Sequence, residues 1–173
     1  MTGMTAKAAA ALAILSLAVA ASAETSSKDL AVASRALGFL EPRLSGATPV
    51  VIFYEAGDTS SEADARSIRA GIASGGTGAT FQGKLASSSD IGAITGAKVV
   101  FLATGIRNQP AIFAAAARQH VITISSDMGC VRAGRCVIGV RAQPSVEIVV
   151  SRAAREASNV NFSRAFLMLV KEQ

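Results

Sequence analysis

Continuous runs of apolar residues recur along the chain and predict buried β-strands. The run at residues 50–54 (VVIFY) lies between turn-forming residues, with Pro49 on one side and Gly57 on the other. Such runs are typical of parallel strands that are covered on both faces. Further strands are predicted at residues 79–82, 98–104, 121–125, 136–141 and 146–150.

Between these runs, apolar residues recur every three or four positions, which predicts helices. Residues 26–40 carry one such apolar stripe. Ser26 with Asp29, and Thr59 with Glu62, have the spacing of a capping box at a helix start. Further helices are predicted at residues 88–95, 108–118, 151–158 and 161–171, the last of which has the most regular pattern.

The alternation of strands and helices predicts an α/β fold, a three-layer sandwich with a mostly parallel central sheet. The sequence has no internal repeat and no linker long enough to divide the chain. We therefore expect residues 24–173 to form a single domain. Half of the 173 residues are hydrophobic and 17% are charged, which excludes wholesale disorder.

Residues 1–23 have the layout of a secretory signal peptide. Lys7 is their one charged residue, an apolar run of about 13 residues follows, and Ala21-Ser22-Ala23 matches the A-x-A cleavage pattern. The alternative, a membrane anchor, needs about 20 apolar residues to span a bilayer. We predict cleavage after Ala23 and a mature chain located in the periplasm, with no membrane-spanning segment of its own.

The composition excludes several classes of site. One histidine and two cysteines cannot build a multi-histidine metal centre or a four-thiolate zinc site. The formal net charge is +5, but the basic residues are scattered and form no run, and the one tyrosine lies inside an apolar strand. Nucleic-acid binding needs a clustered basic stripe, so no nucleic-acid partner is expected. We also expect no metal and no cofactor.

Cys130 and Cys136 predict a disulfide, because paired cysteines in an exported protein are usually oxidised. The alternative is a redox-active pair, which usually has the C-x-x-C spacing. GCVRAGRC departs from that spacing and favours a structural role.

Residues that follow the predicted strand ends are candidate ligand contacts, because open parallel sheets bind ligands at the carboxyl ends of their strands. Two of these loops are acidic and one carries an arginine, a combination that suits a small polar ligand or an ordinary hydrated rim. The candidates are Glu55, Asp58, Arg107, Ser126 and Asp127.

Two other features are weaker candidates for chemistry. Gly75, Gly76 and Gly78 precede a strand and lack a following Lys-Ser/Thr, so a turn is favoured over a phosphate loop. His120 begins the strand that ends near Asp127, so the two are too far apart for a Ser/His/Asp triad. We expect no enzymatic activity.

The last predicted helix carries an apolar stripe that must be buried against something. Phe162, Phe166 and Leu169 lie on this stripe. Either the stripe packs on the sheet of its own chain, or part of it forms a dimer or partner surface.

Three stretches resemble the YfiR family of periplasmic proteins. They are EIVVSRAAREASNVNFSRAFLMLV (residues 147–170), VITISSDMGCVRAGRCVIGV (residues 121–140), and SRALGFLEP with the following PVVIFYE (residues 34–42 and 49–55). With the intervening spacing, the resemblance covers most of residues 27–170. The opening helix lacks the aromatic-rich segment common in the family, which indicates a divergent branch.

The resemblance implies a compact α/β domain, similar to a shortened lobe of a periplasmic binding protein, without catalysis. It implies a regulator that docks on the periplasmic part of an inner-membrane diguanylate cyclase and so acts in cyclic-di-GMP signalling. Cys130 and Cys136 match the family's loop disulfide, whereas a second disulfide of some members has no counterpart here.

Two functions are therefore expected, and the first is favoured over the second. The first is a non-enzymatic regulatory or sensor protein that acts through protein contacts, with a homodimer as a further possibility. The alternative is a small-solute-binding domain of the periplasmic-binding-protein type, for which this length supplies a single lobe.

Overall fold

The apolar runs of the sequence form the middle of a seven-stranded sheet. The computed structural model describes residues 24–73 and 78–173. The strands are β1 (Leu40–Glu41), β2 (Gly46–Tyr54), β3 (Ala79–Ser87), β4 (Val99–Leu102), β5 (Ile122–Ser125), β6 (Ile138–Arg141), β7 (Glu147–Val150), β8 (Asn161–Phe162) and β9 (Lys171–Glu172).

Helices connect these strands and cover the sheet. They are α1 (Ser27–Leu37), α2 (Thr59–Ile72), α3 (Gln109–Arg118), α4 (Met128–Arg132), α5 (Arg152–Ala157) and α6 (Arg164–Leu167), with a 3₁₀ helix at Ile91–Ile94. The sheet order is β3-β2-β4-β5-β6-β7-β9, and β1 pairs with β8 in a separate two-stranded ribbon. Within the large sheet, β6 and β7 pair antiparallel and the other neighbours are parallel.

Alternate residues of the central strands enter two different cores. Val50 and Ile52 pack in the core that contains the buried faces of α1 and α2. Val51 and Phe53 pack in the core that contains α3 and α4. Because successive strand side chains point to opposite faces, a strand that is apolar at every position must be covered twice. The predicted three-layer α/β sandwich is confirmed.

One of the two predicted capping boxes is present and the other is not. The Ser26–Asp29 capping box at α1 is confirmed: the Ser26 side chain accepts from the Asp29 N–H, and Asp29 accepts from the Ser26 N–H. For α2 the predicted N-cap is one residue late. Asp58 caps this helix by accepting from Ser60 N–H and Ser61 N–H, because its carboxylate reaches both unpaired donors.

Several element boundaries differ from the predictions. The first helix ends at Leu37, and Leu40 enters β1 instead. β3 continues to Ser87, well beyond the predicted 79–82, and the helix predicted at 88–95 is only a 3₁₀ turn. The predicted loop after β5 contains α4, which Asp127 caps through Gly129 N–H. Gly75 and Gly76 lie outside the described residues, and Gly78 lies in a bend.

The prediction of a continuous helix at residues 161–171 is wrong. β8 pairs with β1, Ser163 caps the short α6, and β9 joins the sheet edge beside β7. Phe162 and Phe166 still lie in the core, since their rings pack at a centroid distance of 5.1 Å. Leu169, by contrast, is 81% exposed. The helical spacing therefore correctly predicted that Phe162 and Phe166 are buried, although residues 161–171 do not form one helix.

Cys130 and Cys136 form the predicted disulfide, which joins α4 to the segment entering β6. Both cysteines are fully buried. Closing so short a loop stabilises the fold by roughly 2–3 kcal/mol in the chain-entropy account. The bond fits an oxidising compartment.

The predicted signal peptide, residues 1–23, lies outside the described residues. Among residues 24–73 and 78–173, no helix has the length and apolar character needed to cross a membrane.

The C-terminal segment yields a matched pair of variants. We expect Phe166→Ala to lower the free energy of unfolding by about 3–5 kcal/mol, because it removes a buried ring that also stacks on Phe39 at 5.0 Å. Leu169→Ala, three residues away and exposed, should change it by less than about 0.5 kcal/mol. Denaturant unfolding measures both. Equal midpoints for the two variants would contradict this placement of the segment.

Candidate functional site

A cleft opens where the parallel strands β4, β5 and β6 end. Its volume is about 490 Å³, which lies in the range of small-molecule sites. Three loops and the start of α1 form its walls. The lining residues are Glu24, Ser26, Asp29, Thr104, Gly105, Ile106, Gln109, Ser126, Asp127, Met128, Arg141 and Gln143.

One wall is held by the carboxylate of Asp64, a fully buried residue of α2. Its Oδ1 accepts from Thr25 N–H at 2.7 Å, and its Oδ2 accepts from Thr104 N–H at 2.8 Å and from the Thr25 hydroxyl at 3.2 Å. The Thr25 hydroxyl also lies 2.8 Å from the hydroxyl of Ser126. Asp64 therefore ties the chain before α1 to the loops after β4 and β5.

A second carboxylate holds the start of α1 to the segment after β6. Asp29 Oδ2 accepts from Ser26 N–H and from the Ser26 hydroxyl, at 2.8 and 2.7 Å. Its Oδ1 accepts from Ala142 N–H at 2.6 Å. Both oxygens of Asp29 are thus engaged, and the contact holds the segment after β6, which carries Arg141, against the start of α1.

Asp127 projects from the loop after β5 and is half-buried. Its Oδ1 accepts from Gly129 N–H at 2.8 Å, and its Oδ2 accepts from the Gln109 side-chain amide at 3.2 Å. These bonds fix the carboxylate, and each oxygen keeps a further lone pair for a ligand.

Arg141 stands at the end of β6, opposite Glu147 in the register of β6 and β7. Glu147 accepts from the Lys171 ammonium at 2.9 Å. That hydrogen bond and the charge of Lys171 lower the pKa of Glu147, and Arg132 and Arg141 add smaller contributions in the same direction. In the described part of the chain, Arg141 itself forms no ion pair.

The five predicted contact residues separate into two groups. Ser126 and Asp127 line the cleft. Glu55 instead accepts from Arg107 N–H and from the Ser88 hydroxyl, both at 3.1 Å, and Asp58 caps α2. Glu55, Asp58 and Arg107 are not among the lining residues, because they brace the loops where the strand order reverses, between β2 and β4.

Sequence reasoning missed the contributions of Asp29, Asp64, Gln109, Arg141 and Gln143. Asp29 carried only a capping signal, and Asp64 carried none. A polar residue inside the apolar face of α2, between Ser61 and Ala65, was the available sign that Asp64 is buried. Nothing local could show that Ala142 meets Asp29 across 113 residues.

His120 lies away from the cleft, at the other end of β5. It is exposed, has a left-handed backbone with φ of 56°, and its Nδ1 lies 3.3 Å from the Ser158 carbonyl oxygen. It helps to line a smaller hollow of about 190 Å³ with Glu41 and Lys98. Among the described residues, no group of three or more histidine, cysteine or acidic side chains is placed to hold a metal ion.

The Asp64 contacts can be tested by removing the carboxylate. We expect Asp64→Ala to lower the free energy of unfolding by about 1–3 kcal/mol for each buried N–H group that loses its acceptor, and both Thr25 and Thr104 lose theirs. Asp58→Ala, which removes a solvent-accessible cap on the same helix, should cost only about 1 kcal/mol. Thermal and denaturant melting measure both, and a smaller loss for Asp64→Ala than for Asp58→Ala would contradict the role assigned to Asp64.

No protein-family profile and no curated protein matches this chain. Its fold is similar to that of an ABC domain from Streptococcus pneumonia solved in complex with L-Trp, with a TM-score of 0.62 and 9% identity over 83% of this chain. A conserved domain protein from Vibrio cholerae gives a TM-score of 0.60 and 11% identity over 84% of this chain. This chain covers 60% of the length of each of these structures. At such identities the likeness establishes the fold alone.

Proposed function

We propose that this chain is a small-solute-binding domain whose site is the cleft at the ends of β4, β5 and β6. The observation that carries this proposal is the cleft itself. It is of ligand size, it lies at the carboxyl ends of parallel strands, and polar groups from separate elements converge on it.

The construction of the walls supports the same function. Asp29 and Asp64 use their carboxylates to hold backbone N–H groups of the lining segments. A binding site gains affinity when its walls are ordered before the ligand arrives, because less conformational entropy is lost on binding. The cleft is open on one side, which fits a single lobe, and a second copy or another domain can close it.

The fold comparison adds support of a limited kind. The ABC domain from Streptococcus pneumonia was solved with an amino acid, L-Trp. A fold of this kind therefore accommodates a small molecule in at least one protein. This chain covers only 60% of that structure, so the activity of that whole protein is not part of the proposal.

Native mass spectrometry and thermal melting test this function. We expect the purified protein to retain a small molecule, or to gain about 2.7 kcal/mol of stability when a bound solute is present at 100 times its Kd. The probes are separate sets of amino acids, monosaccharides, nucleosides and polyamines. Gln143→Trp, which fills the cleft mouth, should abolish the gain, whereas Gln119→Trp, exposed beyond the end of α3, should keep it. Failure of every probe set would overturn the proposal.

Protein contact is a second candidate function, and one observation favours it. Val146 and Leu169 are 65% and 81% exposed and line the same shallow hollow, while the adjacent Met168 is 75% exposed. Exposed apolar side chains that lie together mark interaction surfaces. This surface suits the regulatory role that the YfiR resemblance implies, in which an exported protein restrains a membrane diguanylate cyclase. The buried disulfide suits a structural role more than redox sensing.

The regulatory role predicts a change in cyclic-di-GMP. Expression of the protein in a host that carries such a cyclase should lower the cellular cyclic-di-GMP level, and Leu169→Asp should remove the effect while leaving the melting temperature unchanged. Thr80→Asp, on the exposed side of β3 at the far edge of the sheet, serves as the control. An unaltered cyclic-di-GMP level with the wild-type protein would argue against this role.

A further inference from the structure

The charged side chains of the cleft differ in how many hydrogen bonds they already make within the chain. Four charged side chains line it: Glu24, Asp29, Asp127 and Arg141. Asp29 is committed to the wall, since both of its oxygens accept hydrogen bonds from within the chain. In the chain cleaved after Ala23, a ligand therefore meets chiefly the carboxylates of Glu24 and Asp127, the guanidinium of Arg141 and the α-ammonium group of Glu24.

Asp127 offers a fixed negative charge. Its two accepted bonds come from a backbone N–H and from the neutral amide of Gln109, and it forms no ion pair within the described residues. Half-buried and held at both oxygens, it loses little freedom when it accepts from a ligand. A primary ammonium group, with three N–H donors, matches it.

Arg141 offers the opposite charge. Its register neighbour Glu147 is already paired with Lys171, which leaves the guanidinium without an intramolecular ion pair in the described part of the chain. The Ala142–Asp29 hydrogen bond fixes the backbone beside it. A guanidinium binds a carboxylate through two parallel N–H···O bonds, which gives orientation as well as affinity.

The remaining lining narrows the choice of ligand. Ile106 and Met128 are almost fully buried apolar residues of the cleft, and they suit an apolar ligand segment. None of the described lining residues is aromatic, so the stacking surface that nucleobases favour is missing. A polyanion would be repelled by the carboxylates of Glu24, Asp29 and Asp127, and a polyamine would leave the guanidinium of Arg141 without an anionic partner among the described residues.

We propose that the solute is a zwitterion of the amino-acid type, with its carboxylate on Arg141, its ammonium on Asp127, and its apolar portion against Ile106 and Met128. This inference rests on the proposed solute-binding function and names the chemical class of ligand for that site. Charge complementarity at both ends of one ligand gives specificity, because an analogue that lacks either group leaves a charged side chain of the cleft unpaired.

The test compares ligands that differ by one group. Titration calorimetry with the twenty common L-amino acids selects the tightest binder. Its decarboxylated amine and its deaminated acid are then measured against the same protein; for leucine these are 3-methylbutylamine and 4-methylpentanoate. We expect each truncated compound to bind at least about tenfold more weakly, as the loss of one charge-assisted hydrogen-bonded pair implies.

Two variants assign the ends of the ligand. Arg141→Gln should weaken the amino acid at least about tenfold and leave the affinity for the amine unchanged or higher. Asp127→Asn, which keeps the N-cap of α4, should weaken the amino acid and spare the deaminated acid. Arg118→Gln, at the far end of α3, is the matched control and should change neither affinity.

The outcomes separate this inference from the function on which it rests. If a sugar, a nucleoside or a polyamine binds and no amino acid does, the ligand class is wrong and solute binding stands. If the amine or the acid binds as tightly as the amino acid, two-ended recognition is wrong. If no compound of any set binds, the proposed function fails together with the inference.

Discussion

The buried carboxylate of Asp64 joins segments that lie 39 and 40 residues away along the chain on either side of α2. A carboxylate removed from water is costly unless hydrogen bonds replace its hydration, and here two backbone N–H groups and one hydroxyl do so. The same bonds satisfy donors at Thr25 and Thr104 that would otherwise be buried without partners. The cleft depends on this arrangement, because both residues adjoin its wall.

The position of the cleft follows from how the loops are used. In an open parallel sheet, the crevice where the strand order reverses is the usual ligand site. Here Glu55, after β2, accepts hydrogen bonds from Arg107 N–H and from the Ser88 hydroxyl, and Asp58 caps α2. The cleft lies instead at the ends of β4, β5 and β6. There Asp29 holds the start of α1 against the segment after β6. Acidic residues near the carboxyl ends of the strands thus have two roles: Glu55 joins the loops after β2, β3 and β4, and Asp29 holds a wall of the cleft.

Some apolar residues near the end of the chain pack in the core, and others are exposed on the surface. Phe162 and Phe166 pack with Phe39 and close the core beside the β1–β8 ribbon. β9 then adds a strand to the sheet edge, where Glu172 pairs with Arg152 and Arg155 and Lys171 pairs with Glu147. Leu169, in the turn before β9, is exposed, so the same apolar stripe supplies both core contacts and an exposed surface.

The sequence by itself determined the layers of the fold, because burial on both faces of a strand shows in composition. The runs at 50–54, 98–104 and 121–125 form β2, β4 and β5, and the capping chemistry of Ser26 and Asp29 is local. The disulfide between Cys130 and Cys136 was also predictable, since the two cysteines lie six positions apart in a chain whose leader pattern predicts export.

Only the tertiary structure decided the end of the chain and the composition of the cleft. A helical pattern at 161–171 lost to strand pairing with residues 40–41 and 149–150, because distant backbone partners outweighed local periodicity. Asp127 and Arg141 line one cleft because they lie at or just after the ends of the paired parallel strands β5 and β6, and Asp29 and Asp64 hold the surrounding segments through hydrogen bonds to residues up to 113 positions away. Local propensity carries no information about such contacts, since their energy exists only once the sheet has brought the segments together.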